Sequence, residues 1–139
     1  MANYQIKDLS FSYSTSDGRL ALENINFEIN DGEYVAVCGK SGSGKSTLLK
    51  HLKPALTPSG ERTGEILFDG KSVFELESRA QASQIGYVMQ NPDAQIVTDK
   101  VWHELAFGLE KLGLPQGTIR TRVAEMASYF GIQSWFHRD

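Results

Sequence analysis

Tyr34-Val35-Ala36-Val37-Cys38-Gly39-Lys40-Ser41-Gly42-Ser43-Gly44-Lys45-Ser46-Thr47 is the stretch on which the fold turns. Its first five residues are a continuous apolar run of strand length. Such a run predicts a strand buried on both faces, as in a parallel sheet. The run leads straight into glycines at 39, 42 and 44 and then into Leu48, Leu49 and Leu52 at helical spacing. Pro54 and Pro58 stop that helix. Strand, glycine loop and helix in this order place successive backbone N–H groups around a small concave surface. Glycine leaves the approach clear, and the helix adds its unpaired first-turn donors and the positive end of its dipole.

Upstream, residues 3–13 alternate through Tyr4, Ile6, Leu9, Phe11 and Tyr13, and the phase shifts near Asp8. This predicts a half-buried strand with a bulge. After the turn signal Ser16-Asp17-Gly18-Arg19, residues 20–29 alternate again, up to the turn Asn30-Asp31-Gly32. Two such runs predict antiparallel strands with one face covered. Downstream, Gly64–Phe68 reads as a short strand and Asp69-Gly70 as a hairpin turn. Residues 75–84 read as a short helix, and Ile85-Gly86-Tyr87-Val88-Met89 as another strand. Beyond Gln90-Asn91-Pro92-Asp93 the pattern becomes helical. Val101, Leu105, Leu109 and Leu112 precede Gly113, and Ile119, Val123, Met126, Ala127 and Phe130 precede Gly131. The expected fold class is therefore α/β: a partial P-loop NTPase core with an antiparallel β subdomain, over 1–90, and the start of a helical subdomain, over 91–139.

The 139 residues are 40% hydrophobic and 22% charged, with a net charge of −3. This is the make-up of a packed domain without the basic footprint of a nucleic-acid binder, so no nucleic-acid partner is expected. No apolar run approaches the roughly 20 residues needed to span a bilayer. Met1–Ser12 carries no basic segment followed by an apolar one, so no secretory signal is expected. With one cysteine, Cys38, there is no internal disulfide; it reads as a small buried strand residue.

Gly39-x4-Gly44-Lys45-Ser46 matches the P-loop pattern. The backbone of Gly39, Ser41, Gly42, Ser43, Gly44 and Thr47 cradles phosphate in such a loop. Lys45 reaches the β- and γ-phosphates, and the Ser46 hydroxyl ligates Mg²⁺. The expected cofactors are ATP and Mg²⁺. A guanine-nucleotide switch is disfavoured, because no Asp has Gly three residues on and no Asn-Lys-x-Asp occurs. His137-Arg138-Asp139 has the letters of a protein-kinase catalytic loop, but Lys-Ser-Thr follows Gly44 where a kinase glycine loop would differ.

From its first strand onward the sequence resembles the ATPase subunit of ABC transporters. Tyr13 stands where that family has the aromatic that stacks on adenine. Gln90, ending an apolar run, stands where it has the glutamine that contacts Mg²⁺ and the attacking water and links the site to the membrane subunits. Val88-Met89-Gln90-Asn91-Pro92-Asp93-Ala94-Gln95-Ile96-Val97, with Glu104-Leu105-Ala106-Phe107-Gly108, is similar to the energy-coupling-factor subgroup, which imports vitamins and metal ions. The resemblance implies a head-to-tail pair with a second ATPase subunit. It also implies contact with transmembrane transporter subunits through Gln90 and the helical region, and a cytoplasmic location on the inner face of the cell membrane.

The family's Leu-Ser-Gly-Gly-Gln segment, Walker B strand, D-loop and switch histidine have no match here. Ile66-Leu67-Phe68-Asp69 has the Walker B form, but Gly70 makes it a hairpin turn. His51, His103 and His137 read as helix-face or surface residues. The expectation is an ABC importer's ATP-binding portion that does not itself hydrolyse ATP. The alternatives are a non-hydrolysing nucleotide-binding or docking module and a soluble ABC-type ATPase. Open edges beside residues 34–38 would favour assembly or aggregation, which a clean monomer in light scattering would contradict.

Overall fold

The structure, a computed structural model, describes residues 3–138. The chain divides into two compact units that meet between Ile85 and Gly86.

The first unit is built on a four-stranded antiparallel sheet. Its strands are β1 (Tyr4–Tyr13), β2 (Leu20–Ile29), β3 (Gly60–Phe68) and β4 (Lys71–Ser72), in the order β2-β1-β3-β4. The alternation in β1 breaks where the sequence suggested. Asp8 adopts φ 51, and the pairing with both neighbours slips between residue 6 or 7 and residue 9 or 10. The extra residue brings Ile6, Leu9 and Phe11 to the same buried face although their spacing is uneven. Gly64 on β3 lies against this bulge with φ 84, where a Cβ would come within 2.4 Å of the Asp8 carbonyl oxygen. The strand predicted from Gly64 begins earlier, at Gly60, because β1 offers its whole length for pairing. Asp69 (φ 50) and Gly70 (φ 75) form the turn into β4, as their sequence predicts.

Helix α1 (Lys45–His51) covers the buried face of the sheet with Leu48 and His51. The core joins Ile6, Leu9, Phe11, Leu22, Leu48, Ile66, Phe68, Val73 and Ile85. The helix expected over 75–84 is a 3₁₀ turn at Val73–Glu75 followed by α2 (Ser78–Gln84). His51 is wholly buried, not a surface residue. Its side of α1 faces Phe11, which the helical pattern alone does not reveal.

Two predicted strands are not formed. Tyr34–Cys38 has no ladder partner among the described residues, and Tyr34, Val35 and Val37 are exposed. Cys38 is exposed too, contrary to its reading as a buried residue. Ile85 and the residues through Met89 are likewise outside any ladder. Apolar, β-favouring composition makes a segment fit a sheet, but the sheet itself needs a neighbour to complete its hydrogen bonds.

The second unit is a helical hairpin of α3 (Val101–Lys111) and α4 (Gln116–Phe130) around Ala106, Ile119 and Val123. Both helices end on the glycines expected. Gly113 and Gly131 each have φ 66, and Leu114 N–H and Ile132 N–H return to the Leu109 and Ala127 carbonyls at 3.2 and 2.9 Å. One carboxylate oxygen of Glu104 accepts from Val97 N–H (3.1 Å), Thr98 N–H (3.0 Å) and the Thr98 hydroxyl (3.0 Å). Burial acts to raise the Glu104 pKa, but these hydrogen bonds outweigh it and hold the carboxyl below its ordinary range. Among the described residues, no helix is long and apolar enough to cross a membrane.

Candidate functional site

The segment between Cys38 and α1 is curled. Ser43 N–H returns to the Lys40 carbonyl at 3.2 Å, and Gly42 sits at φ 78. The first bond into the helix runs from Leu48 N–H to the Gly44 carbonyl at 2.8 Å. The amides of Lys45, Ser46 and Thr47 therefore precede the helical ladder. Lys45 Nζ donates to the carbonyls of Gly39 (2.9 Å) and Lys40 (2.8 Å), which straps its ammonium group across the loop. Residues 39–43 and Ser46 are exposed, and the side chain laid across the loop is that of Lys45.

Gly44 fixes this loop to the sheet. It has φ 89, and a Cβ there would stand 2.4 Å from the Ala21 carbonyl oxygen on β2. Gly44→Ala is expected to lower stability by about 1–3 kcal/mol, the usual cost of a side chain held at such a backbone conformation. Urea unfolding of the two proteins side by side measures this, and equal midpoints would refute it.

Tyr13 ends β1 at the same place. Its hydroxyl hydrogen-bonds the Thr47 hydroxyl at 2.6 Å. Its ring meets Phe11 edge-on, with centroids 5.0 Å apart. A cavity of about 580 Å³ is bounded by Tyr13, Ser16, Arg19, residues 20–23, Ile25, Gly42 and Ser43. Sequence reading did not single out Ser16 or Arg19 for this site. Ser16 Oγ lies within hydrogen-bond distance of the Tyr13 carbonyl (2.8 Å) and the Arg19 carbonyl (3.0 Å), which share its one proton, so the turn that delivers Tyr13 also delivers Arg19. The signal was the turn composition itself, which says that the chain reverses but not what it then faces.

The site residues are thus placed in two groups. Tyr13, Gly39, Ser41, Gly42, Ser43, Gly44, Lys45, Ser46 and Thr47 belong to the first unit, where Tyr13 contacts Thr47 and shares a cavity with Gly42 and Ser43. Gln90 belongs to the second unit and is exposed. Nearby, the Gln95 side chain accepts from Met89 N–H (2.6 Å) and donates to the Tyr87 carbonyl (3.1 Å), which ties down the residues before Gln90.

No cluster of three His, Cys, Asp or Glu side chains suited to a metal occurs among the described residues. A hydroxyl ligand such as Ser46 suits Mg²⁺, which keeps most of its coordination for water and phosphate oxygens. The exposed Ser46 side chain in the first turn of α1 fits that donor set.

Beneath the loop, His51 Nδ1 lies 2.7 Å from the Thr47 carbonyl oxygen, and its ring meets Phe11 edge-on at 4.4 Å. Burial, and secondarily the charge of Arg62, hold the His51 pKa below its ordinary value; the hydrogen bond to Thr47 opposes this and is outweighed. The unfolded chain therefore takes up the proton first as pH falls. Stability is unaffected by His51 above about pH 6.5 and declines below it, until the folded protein is protonated too. His51→Phe is expected to flatten that decline between about pH 6.5 and 5, read from urea midpoints. Parallel profiles would refute it.

An antiparallel sheet joined to a curled glycine loop and a helix that opens on Lys-Ser-Thr defines a phosphate-loop fold of the α/β class. The sequence profile of the ABC transporter family matches residues 22–138, and the chain belongs to that family. A Bacillus anthracis protein named an ABC transporter ATP-binding protein is 44% identical over 139 residues, covering all of this chain and 25% of that protein. The energy-coupling factor transporter ATP-binding protein EcfA of Methanothermobacter thermautotrophicus is 40% identical over 136 residues, 96% of this chain and 42% of its own. EcfA1 of Symbiobacterium thermophilum is 42% identical over 127 residues, 87% of this chain and 41% of its own. The chain thus spans between a quarter and about two-fifths of the length of these relatives. A solved dimeric ATP-binding cassette in a post-hydrolysis state, bound to ADP and Pi, shares the fold. Its TM-score is 0.75 at 21% identity, over 98% of this chain and 61% of that one.

Proposed function

We propose that this chain is the ATP-binding portion of an ABC importer of the energy-coupling-factor type. The observation that carries the reading is the joining of a curled, exposed glycine loop, spanned by the Lys45 ammonium, to the cavity beside Tyr13. The loop is suited to phosphate and the cavity to a nucleoside. In this role the backbone amides of residues 39–47 hold the α- and β-phosphates. Lys45 exchanges the Gly39 and Lys40 carbonyls for β- and γ-phosphate oxygens. Tyr13 stacks on adenine, and Thr47 keeps Tyr13 in place. Ser46 serves as protein ligand to Mg²⁺, which when bound neutralises phosphate charge. Gln90 serves the metal ion and the attacking water and connects nucleotide state to membrane partners. In the whole protein two such subunits pair head-to-tail and couple ATP hydrolysis to solute uptake, on the inner face of the membrane. The EcfA relatives support this setting.

Calorimetric titration tests the proposal. Saturable binding of Mg·ATP, weakened by excess EDTA, is expected. No binding at millimolar Mg·ATP by a folded protein would overturn it.

A further inference from the structure

His51 carries more than packing requires. Its ring is completely buried, yet it is polar. Donation from Nδ1 to the Thr47 carbonyl leaves Nε2 as a bare acceptor, and that nitrogen has no partner among the described residues. A leucine or phenylalanine would fill the space without leaving a buried polar atom unsatisfied. Two short routes lead from His51 to Tyr13. One is polar: His51 holds the Thr47 carbonyl, and the Thr47 hydroxyl holds the Tyr13 hydroxyl at 2.6 Å. The other is aromatic: His51 packs edge-on against Phe11 at 4.4 Å, and Phe11 packs edge-on against Tyr13 at 5.0 Å. Both routes end on the same ring, which borders the cavity next to Gly42 and Ser43.

We propose that His51 is a positioning residue for base recognition: through Thr47 and Phe11 it sets the orientation of Tyr13, and so the share of nucleotide affinity that comes from the base. This rests on the nucleotide reading of the site. His51 touches no ligand itself. Tyr13 is the last residue of β1, paired there with Gly60 of β3, and its ring packs against the core. Its orientation comes from the hydroxyl bond to Thr47 and the edge of Phe11, and His51 braces both. A loosened Tyr13 would still leave the glycine loop intact, because the loop is held separately by Gly44 on β2 and by the Lys45 strap.

The test compares two probes, Mg·ATP and Mg·tripolyphosphate, the second lacking base and ribose. His51→Leu keeps volume and removes the donor, whereas His51→Asn keeps a donor near the Nδ1 position. His51→Leu is expected to weaken Mg·ATP about tenfold, the scale of losing one well-placed hydrogen bond. Tripolyphosphate binding should move less than about twofold, and His51→Asn should restore most of the ATP affinity. Equal weakening of both probes would overturn the proposal, since His51 would then support only the loop as a whole. Unchanged ATP affinity in His51→Leu would overturn it as well. Should His51→Leu fail to fold, Tyr13→Phe removes the hydroxyl link and keeps the ring. It is expected to show the same selective loss, and its absence would overturn the proposal. Failure of the wild-type protein to bind Mg·ATP would instead defeat the nucleotide reading on which the proposal rests.

Discussion

Lys45→Ala is expected to weaken Mg·ATP binding by about ten- to a hundredfold. A charge-assisted hydrogen bond contributes about 1.5–3 kcal/mol, and every 1.4 kcal/mol is a factor of ten. The Lys45 ammonium donates to the Gly39 and Lys40 carbonyls. The group is therefore held over the loop, and reaching phosphate requires only an exchange of oxygens. Phosphate oxygens carry formal charge and the carbonyls do not, so the exchange favours the ligand. The substitution should cost little stability, below about 1 kcal/mol, because the strap is exposed and its carbonyls can turn to water. Titration of Mg·ATP together with urea unfolding separates the two effects. Unchanged affinity in the variant would defeat the assignment of Lys45. A large loss of stability would mean that the strap is structural.

Phe11→Ala is expected to destabilise the first unit by about 3–5 kcal/mol. Phe11 is 1% exposed, sits mid-strand opposite Leu22 and Arg62, and touches both His51 and Tyr13. Truncation leaves a cavity between two paired neighbours, since Phe11 is held in register with Leu22 of β2 and Arg62 of β3. Domains of this kind are stable by only about 5–15 kcal/mol, so the variant should lose a large share of its stability. Ligand binding offers a partial rescue. Nucleotide at a hundred times its dissociation constant would add about 2.7 kcal/mol to the folded state. Circular dichroism melts with and without Mg·ATP measure both effects. A melting temperature within a degree or two of wild type would show that Phe11 is not central to the core. A destabilised variant that ATP fails to raise would show that the base side of the site had collapsed with it.

Much of the local geometry of both units was legible in the chain, and for a common reason. The bulge at Asp8, the hairpin at Asp69-Gly70, the helix ends at Gly113 and Gly131 and the glycine loop before Lys45 depend on residues within a few positions of one another. Backbone conformations open mainly to glycine, aspartate and asparagine leave a direct trace in sequence. The curled backbone of residues 39–44 was legible on the same ground, since the loop is one continuous segment. Tyr13 and Gln90 came from resemblance to a family, not from local chemistry.

Tertiary structure decided the rest. Whether Tyr34–Cys38 becomes a strand depends on a partner for its backbone, and composition cannot supply one. Which side of α1 is buried, and hence that His51 lies in the core and not on the surface, depends on how the helix lands on the sheet. The hydrogen bond between the Tyr13 and Thr47 hydroxyls and the cavity shared with Arg19 join residues far apart in the chain. Short-range backbone preferences were written in the residues themselves. Long-range partnerships were settled only by the packing of one buried face against another, which no single segment encodes.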